Sequence, residues 1–157
     1  MKIISGGQTG ADLGALNAAK AKNIRTGGYI PKGFLTEDGP MPMLKDFDLI
    51  EMNTTSYPPR TRMNVKESDM TIIFKIVESK GCALTERICK ELEKPYLIIS
   101  TPNHEAALKD IAFFIISNRV SAESEVTINV AGNRETKCPG IQKFVCHVMT
   151  RVFEILL

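Results

Sequence analysis

The sequence predicts an α/β fold, a three-layer sandwich with a mostly parallel sheet between two helical layers. Two observations carry this. Short apolar or β-branched runs alternate with helix-period segments along the chain, the pattern of successive βα units. Glycine-bearing turns follow the strand-like runs and precede the helical ones, where strand-to-helix connections belong. In order, Lys2–Ser5 reads as the first strand and Ala11–Lys22 as a helix whose alanines let it lie close to a sheet. Thr26–Ile30 and Phe47–Met52 follow as strands. Pro58-Pro59 breaks the chain before a short polar helix over Arg60–Glu67. Thr71–Ile76 and Tyr96–Ser100 are bounded apolar runs of strand length, so both are predicted as buried strands. Between them Leu84–Leu92 is helical and stops before Pro95. Glu105–Ser117 is a helix with apolar residues at 107, 108, 111, 114 and 115, and Val126–Val130 is the last strand. Ile141, Phe144, Val145, Val148, Met149, Val152, Phe153 and Leu156 then form one helical stripe that covers a sheet face, with Pro139-Gly140 at its start.

At 157 residues the chain predicts one domain spanning residues 1–157. Twenty Lys and Arg against 18 Asp and Glu leave a formal charge of +2, too little basic excess for a protein that works by neutralising nucleic-acid phosphates. Aromatic residues make up only 6% and Trp is absent, so stacking on single strands is unpromising as well. The opening Met1-Lys2-Ile3-Ile4-Ser5 does not read as a signal peptide. The longest apolar run, Ile111–Ile116, is far short of the ~20 residues that span a bilayer. Cys82, Cys89, Cys138 and Cys146 form no Cys-x-x-Cys pair and read as reduced thiols of a cytoplasmic protein. His104 and His147 lie far apart, which argues against a histidine metal site; Cys146 and His147 are helix neighbours about 100° apart and form no dyad.

The placement of the glycines is more telling than their number. Ser5-Gly6-Gly7-Gln8-Thr9-Gly10-Ala11-Asp12 joins the first strand to the alanine-rich helix, where glycine permits positive φ and a helix N-terminus offers unpaired N–H groups. It lacks the lysine of a nucleoside-triphosphatase loop and does not spell Gly-x-Gly-x-x-Gly. A second turn runs from Glu78 through Gly81 to Thr85 and Glu86, which it places in the first turn of a helix. A third, Ala131–Gly140, adds Arg134 and Lys137. A fourth, Pro31–Pro40, combines Lys32 and Gly33 with Glu37 and Asp38. In a parallel sheet such loops leave from one edge and converge on one crevice. Backbone donors with Lys32, Arg60, Arg62 and Arg134 would suit an anionic, phosphate-bearing ligand there.

These residues resemble the circularly permuted YpsA-like branch of the SLOG superfamily. The resemblance begins at Ile4-Ser5-Gly6-Gly7-Gln8-Thr9-Gly10-Ala11-Asp12 and continues through Gly28-Tyr29-Ile30-Pro31-Lys32-Gly33 and Glu37-Asp38-Gly39-Pro40. It then takes in Arg60-Thr61, Asn64-Val65, Ser68-Asp69, Gly81 with Ala83-Leu84-Thr85, Asn129-Val130-Ala131-Gly132, Arg134-Glu135 and Pro139-Gly140. It implies a Rossmann-like fold that binds a nucleotide-like ligand at these loops; members are often labelled molybdenum carrier proteins, so a molybdopterin-like ligand belongs to the same expectation. The chain departs from the family at Lys80-Gly81-Cys82, where Gly-Gly-Thr is common. Of the Pro-Gly-Gly-x-Gly-Thr-x-x-Glu pattern of related phosphoribohydrolases, only Gly81, Thr85 and a displaced Glu86 remain.

The reading that follows is a binding protein (a carrier, sensor or sequestering module) for a small phosphorylated ligand. Gly6, Gly7, Gln8, Thr9, Gly10 and Asp12 would hold it on one side and Gly81, Thr85, Gly132 and Arg134 on the other, with Lys32, Gly33, Arg60 and Asn64 covering it. The alternative is a nucleotide N-glycosidic hydrolase, in which Glu86, Glu37, Asp38 or Glu135 supplies the carboxylate and Arg134 the cation. Neither reading assigns a metal ligand. The apolar last helix and the family resemblance predict a homo-oligomer, with no membrane and no nucleic-acid partner.

Overall fold

The computed structural model of the protein describes residues 1–121 and 124–157. The chain runs β1 (Lys2–Ile4), α1 (Ala11–Ala21), β2 (Arg25–Ile30), a small hairpin of β3 (Leu35–Thr36) and β4 (Gly39–Pro40), a 3-10 turn (Pro42–Phe47) and β5 (Leu49–Glu51). It continues with α2 (Tyr57–Lys66), β6 (Met70–Phe74), α3 (Lys80–Glu91), β7 (Tyr96–Ile99), α4 (His104–Asn118), β8 (Thr127–Gly132) and α5 (Ile141–Leu156). Six strands form one sheet in the order β5-β2-β1-β8-β6-β7, every neighbouring pair parallel. The predicted α/β sandwich with helices on both faces is the observed architecture.

The main core lies between the sheet and the layer of α1, α4 and α5. Ala11, Ala15, Ala18 and Ala19 of α1 are fully buried, and α1 packs most extensively against α5. Gly14 makes that approach possible: a Cβ there would stand 2.5 Å from the Gln142 carbonyl oxygen. On the other face α2 and α3 pack together over Val65, Ile88 and Cys89. A third cluster joins Leu13 and Leu16 of α1 to Ile30, Phe34, Leu44, Phe47 and Leu49, seating the hairpin and the 3-10 turn.

Three local expectations are corrected. Pro58-Pro59 does not precede a helix but sits in the first turn of α2, where the missing N–H has no intrahelical acceptor to lose. The strand expected over Phe47–Met52 is trimmed to Leu49–Glu51, because Phe47 closes the 3-10 turn and Asp48 is left-handed at φ 55°. The helix expected from Leu84 starts at Lys80, with the Ser79 hydroxyl accepting the Cys82 N–H at 3.1 Å as its N-cap. Gly81 therefore lies inside the first turn, with Thr85 and Glu86 further along the helix.

Candidate functional site

Strand order reverses at the centre of the sheet. From β1 the chain builds outward to β2 and β5; from β6 it builds the other way to β7; β8 fills the gap between. Ligands of open α/β sheets bind at such a reversal, beyond the carboxyl ends of the strands. A cavity of about 80 Å3 lies there, room for several water-sized groups. The β1–α1 connection contributes Gly6 and Gln8, and α1 adds Asp12; α2 supplies Tyr57, Arg60 and Asn64; α3 supplies Gly81 and Thr85. Asn129 and Gly132 of β8 and the following Arg134 complete it. Gly81, Gly132 and Arg134 also line an adjoining depression of about 480 Å3, together with Ser79, Lys80 and Lys137.

Electrostatics in the inner cavity centre on Arg60 and Asp12. Arg60 Nη1 lies 3.3 Å from Asp12 Oδ2, and the two side chains are only 12% and 5% exposed. Gly6 provides the floor for this guanidinium, since a Cβ at that position would fall 1.4 Å from Nη1. Burial pushes the Asp12 carboxyl above its ordinary value against the pull of Arg60, and burial lowers Arg60 against the pull of Asp12. Tyr57 serves both cations of the site: the Arg60 and Arg134 guanidinium carbons stand 5.4 and 4.9 Å from its ring centre.

Hydrogen bonding separates donors that are used from donors that remain. The amides of Gln8, Thr9, Gly10, Ala11 and Leu13, at the start of α1, all bond within the protein. Gln8 is 5% exposed; its Oε1 accepts from the Thr9 and Glu37 amides, which leaves Nε2 without a partner. Arg60 Nε is likewise buried and unpartnered. Two orphaned donors on residues that line one cavity call for an acceptor, because an unsatisfied buried donor costs about 1–3 kcal/mol.

The predicted site residues thus divide. Gly6, Gln8, Asp12, Arg60, Asn64, Gly81, Thr85, Gly132 and Arg134 meet around the cavity. Gly7 packs toward Ile30 and Leu49, and Gly10 faces the backbone of Asn133 and Glu135. Lys32 lies with Glu51 in a separate depression, and the Gly33 amide donates to Glu51 Oε1 at 2.7 Å. Glu86 pairs with Lys90 at 2.7 Å, and Glu135 accepts the Gly140 and Gln142 amides at the start of α5. Thr85 donates its hydroxyl to the Gly81 carbonyl, and Asn64 spans the Tyr29 N–H and C=O with its amide.

Glu37 acts as a clamp. It accepts the Thr9 and Thr136 hydroxyls and thereby ties the β3–β4 hairpin to the first and third glycine loops. Its partial burial acts to raise the carboxyl's pKa, but those hydroxyls, the Thr136 amide and the charge of Arg134 outweigh it and hold the group below its ordinary 4.5. A group depressed in this way contributes stability that is present above the unfolded value and lost as pH falls through the folded one. Glu37→Gln is expected to cost about 1 kcal/mol above pH 4.5, the deficit fading at lower pH, as urea titrations at several pH values will measure.

Sequence reasoning gave no site role to Tyr57, Asn129 or Asn133. Asn133 is buried; its Oδ1 accepts the Ile76 and Val77 amides at 2.8 and 3.0 Å, and its Nδ2 donates to the Val77 carbonyl. It latches β8 to the turn before α3. The only signal for Tyr57 was its place before two prolines.

Comparison with known proteins gives a consistent result. The sequence pattern described as the circularly permutated YpsA SLOG family matches residues 3–153. A crystal structure described as "Putative molybdenum carrier protein" from Syntrophus aciditrophicus SB superimposes with a TM-score of 0.86 at 39% identity, covering 97% of this chain and 93% of the other. No curated protein matches. No helix among the described residues is long and apolar enough to cross a membrane. With nearly the whole chain matched in sequence pattern and in three dimensions, the protein belongs to the circularly permutated YpsA SLOG family.

Proposed function

We propose that the protein binds a small oxyanionic ligand, nucleotide-derived or molybdopterin-like and bearing phosphate, as a carrier, sensor or sequestering module. The observation that carries this reading is the pair of unpartnered buried donors, Gln8 Nε2 and Arg60 Nε, on residues lining a cavity that Arg134 also lines. Guanidinium and amide N–H groups are acceptor-seeking and suit phosphate. Molybdate is also a tetrahedral oxyanion that accepts hydrogen bonds, so the description of the Syntrophus protein is compatible with the same donors. On this reading hydrogen bonding to the oxyanion is the mode of capture.

Hydrolysis is less well supported. Glu86 and Glu135 are engaged away from the cavity, and the carboxylate that does line it, Asp12, is already paired with Arg60. Exposed Phe113, Ile116, Ile155 and Leu157 support the expected self-association.

Thermal-shift and calorimetric titrations with nucleoside monophosphates, a molybdopterin phosphate and molybdate test the binding reading. A ligand present at 100 times its Kd should stabilise the protein by about 2.7 kcal/mol. Absence of any shift across this panel, or a shift equal in wild type and in Gln8→Ala, would refute it.

A further inference from the structure

The charges outside the inner cavity narrow the ligand further. The adjoining depression carries Lys80, Arg134 and Lys137. None of the three has a carboxylate within 4.0 Å among the described residues. The acidic residue on that rim, Glu78, is paired with Lys75 at 3.0 Å. The amides of Lys80 and Gly81 open α3, whose cap bonds reach only from Cys82 onward. In a chain of net charge +2, three cations without a carboxylate in contact beside one small cavity are a local concentration rather than a general surface property. Gly81, Gly132 and Arg134 line both spaces, so an anion in one lies next to an anion in the other.

We infer that the site takes a diphosphate: one phosphoryl group in the inner cavity against Gln8 and Arg60, the adjacent one in the outer depression against Arg134, Lys80 and Lys137. This rests on the oxyanion-binding reading above and goes beyond it in the number and position of charges. Arg134 stands between the two groups, steadied on the ring of Tyr57. A monophosphate would satisfy the inner donors and leave the outer cations without a counter-charge.

Calorimetric titration of the full chain with inorganic phosphate, pyrophosphate, AMP and ADP is the test. ADP should bind at least about tenfold more tightly than AMP, or pyrophosphate than phosphate, as expected for one added charge-assisted contact. In the Lys80→Ala/Lys137→Ala variant that ratio should fall toward one. Preference for ADP without one for pyrophosphate assigns the diphosphate to a nucleotide, and the reverse assigns it to a base-free compound. Equal affinity for one and two phosphates in wild type, or a ratio that the lysine variant leaves intact, overturns the diphosphate assignment while oxyanion binding stands. If none of the four binds, the diphosphate assignment fails, and the oxyanion reading is then decided by the molybdopterin phosphate and molybdate titrations.

Discussion

Gly10→Ala should lower stability by about 3–5 kcal/mol and Tm by roughly 10 °C. Gly10 has φ 83° and ψ −129°, a region open to glycine and strained for any other residue. An alanine Cβ there would lie 2.3 Å from the Asn133 carbonyl oxygen and 2.7 Å from the Glu135 nitrogen. Neither neighbour can retreat easily, because that same carbonyl accepts the Ala11 amide and the Asn133 side chain is latched to residues 76 and 77. Gly81→Ala is the informative contrast. Nothing lies within 4 Å of a Cβ at Gly81, and the residue is helical. That change should therefore stabilise the fold by about 0.5–1 kcal/mol while its methyl group crowds the cavity and weakens ligand binding. Urea unfolding of both variants, with a ligand titration of Gly81→Ala, measures the difference. Equal stability changes of the same sign would show that the two loops do not differ as described.

Arg60→Ala should be comparably damaging, and in a pH-dependent way. Removing the guanidinium leaves Asp12 buried without its charge partner, a loss of about 3–5 kcal/mol while the carboxylate stays ionised. The sign follows from burial. The folded-state value of Asp12 already lies above its ordinary 3.8, and without Arg60 nothing of comparable charge opposes a further rise. The folded variant then holds a proton at pH values where the unfolded chain has released it. Its deficit should accordingly be largest at neutral pH and shrink on acidification. Asp12→Asn in the same background should recover much of the loss at neutral pH, and ligand affinity should drop about 10- to 100-fold. A deficit flat in pH and unrelieved by Asp12→Asn would show that the pair is not what stabilises the site.

The inner strands were legible because burial on both faces leaves its mark on composition. Met70–Phe74 is buried at every position, and a short β-branched run can be little else. The convergence of Gly6, Gly81 and Gly132 was legible for a topological reason, since parallel strands send their connections to one edge. What each glycine does there was not. Gly6 makes room for a guanidinium from 54 residues further along the chain, and Gly10 yields to backbone from the far end of β8. Such long-range steric needs leave no local pattern. Glu37 shows the same limit from the opposite side: it read as a candidate carboxylate for chemistry, and its threonine partners, Thr9 and Thr136, lie 28 and 99 residues away. Lys32 read as a ligand-covering cation because its loop follows a strand, but β3 and β4 fold that loop back and leave it beside Glu51.

The position of β8 ties completion of the cavity to assembly of the sheet. This strand pairs with β1 on one side and β6 on the other, more than 50 residues from β6 and over 120 from β1. Until it inserts, the two halves of the sheet present open edges to each other, and Asn129, Gly132 and Arg134 are missing from the cavity. Pairings of such separation are slow to form. The cavity is therefore complete only when β8 has closed the sheet, and on the proposed reading a ligand would favour the closed arrangement.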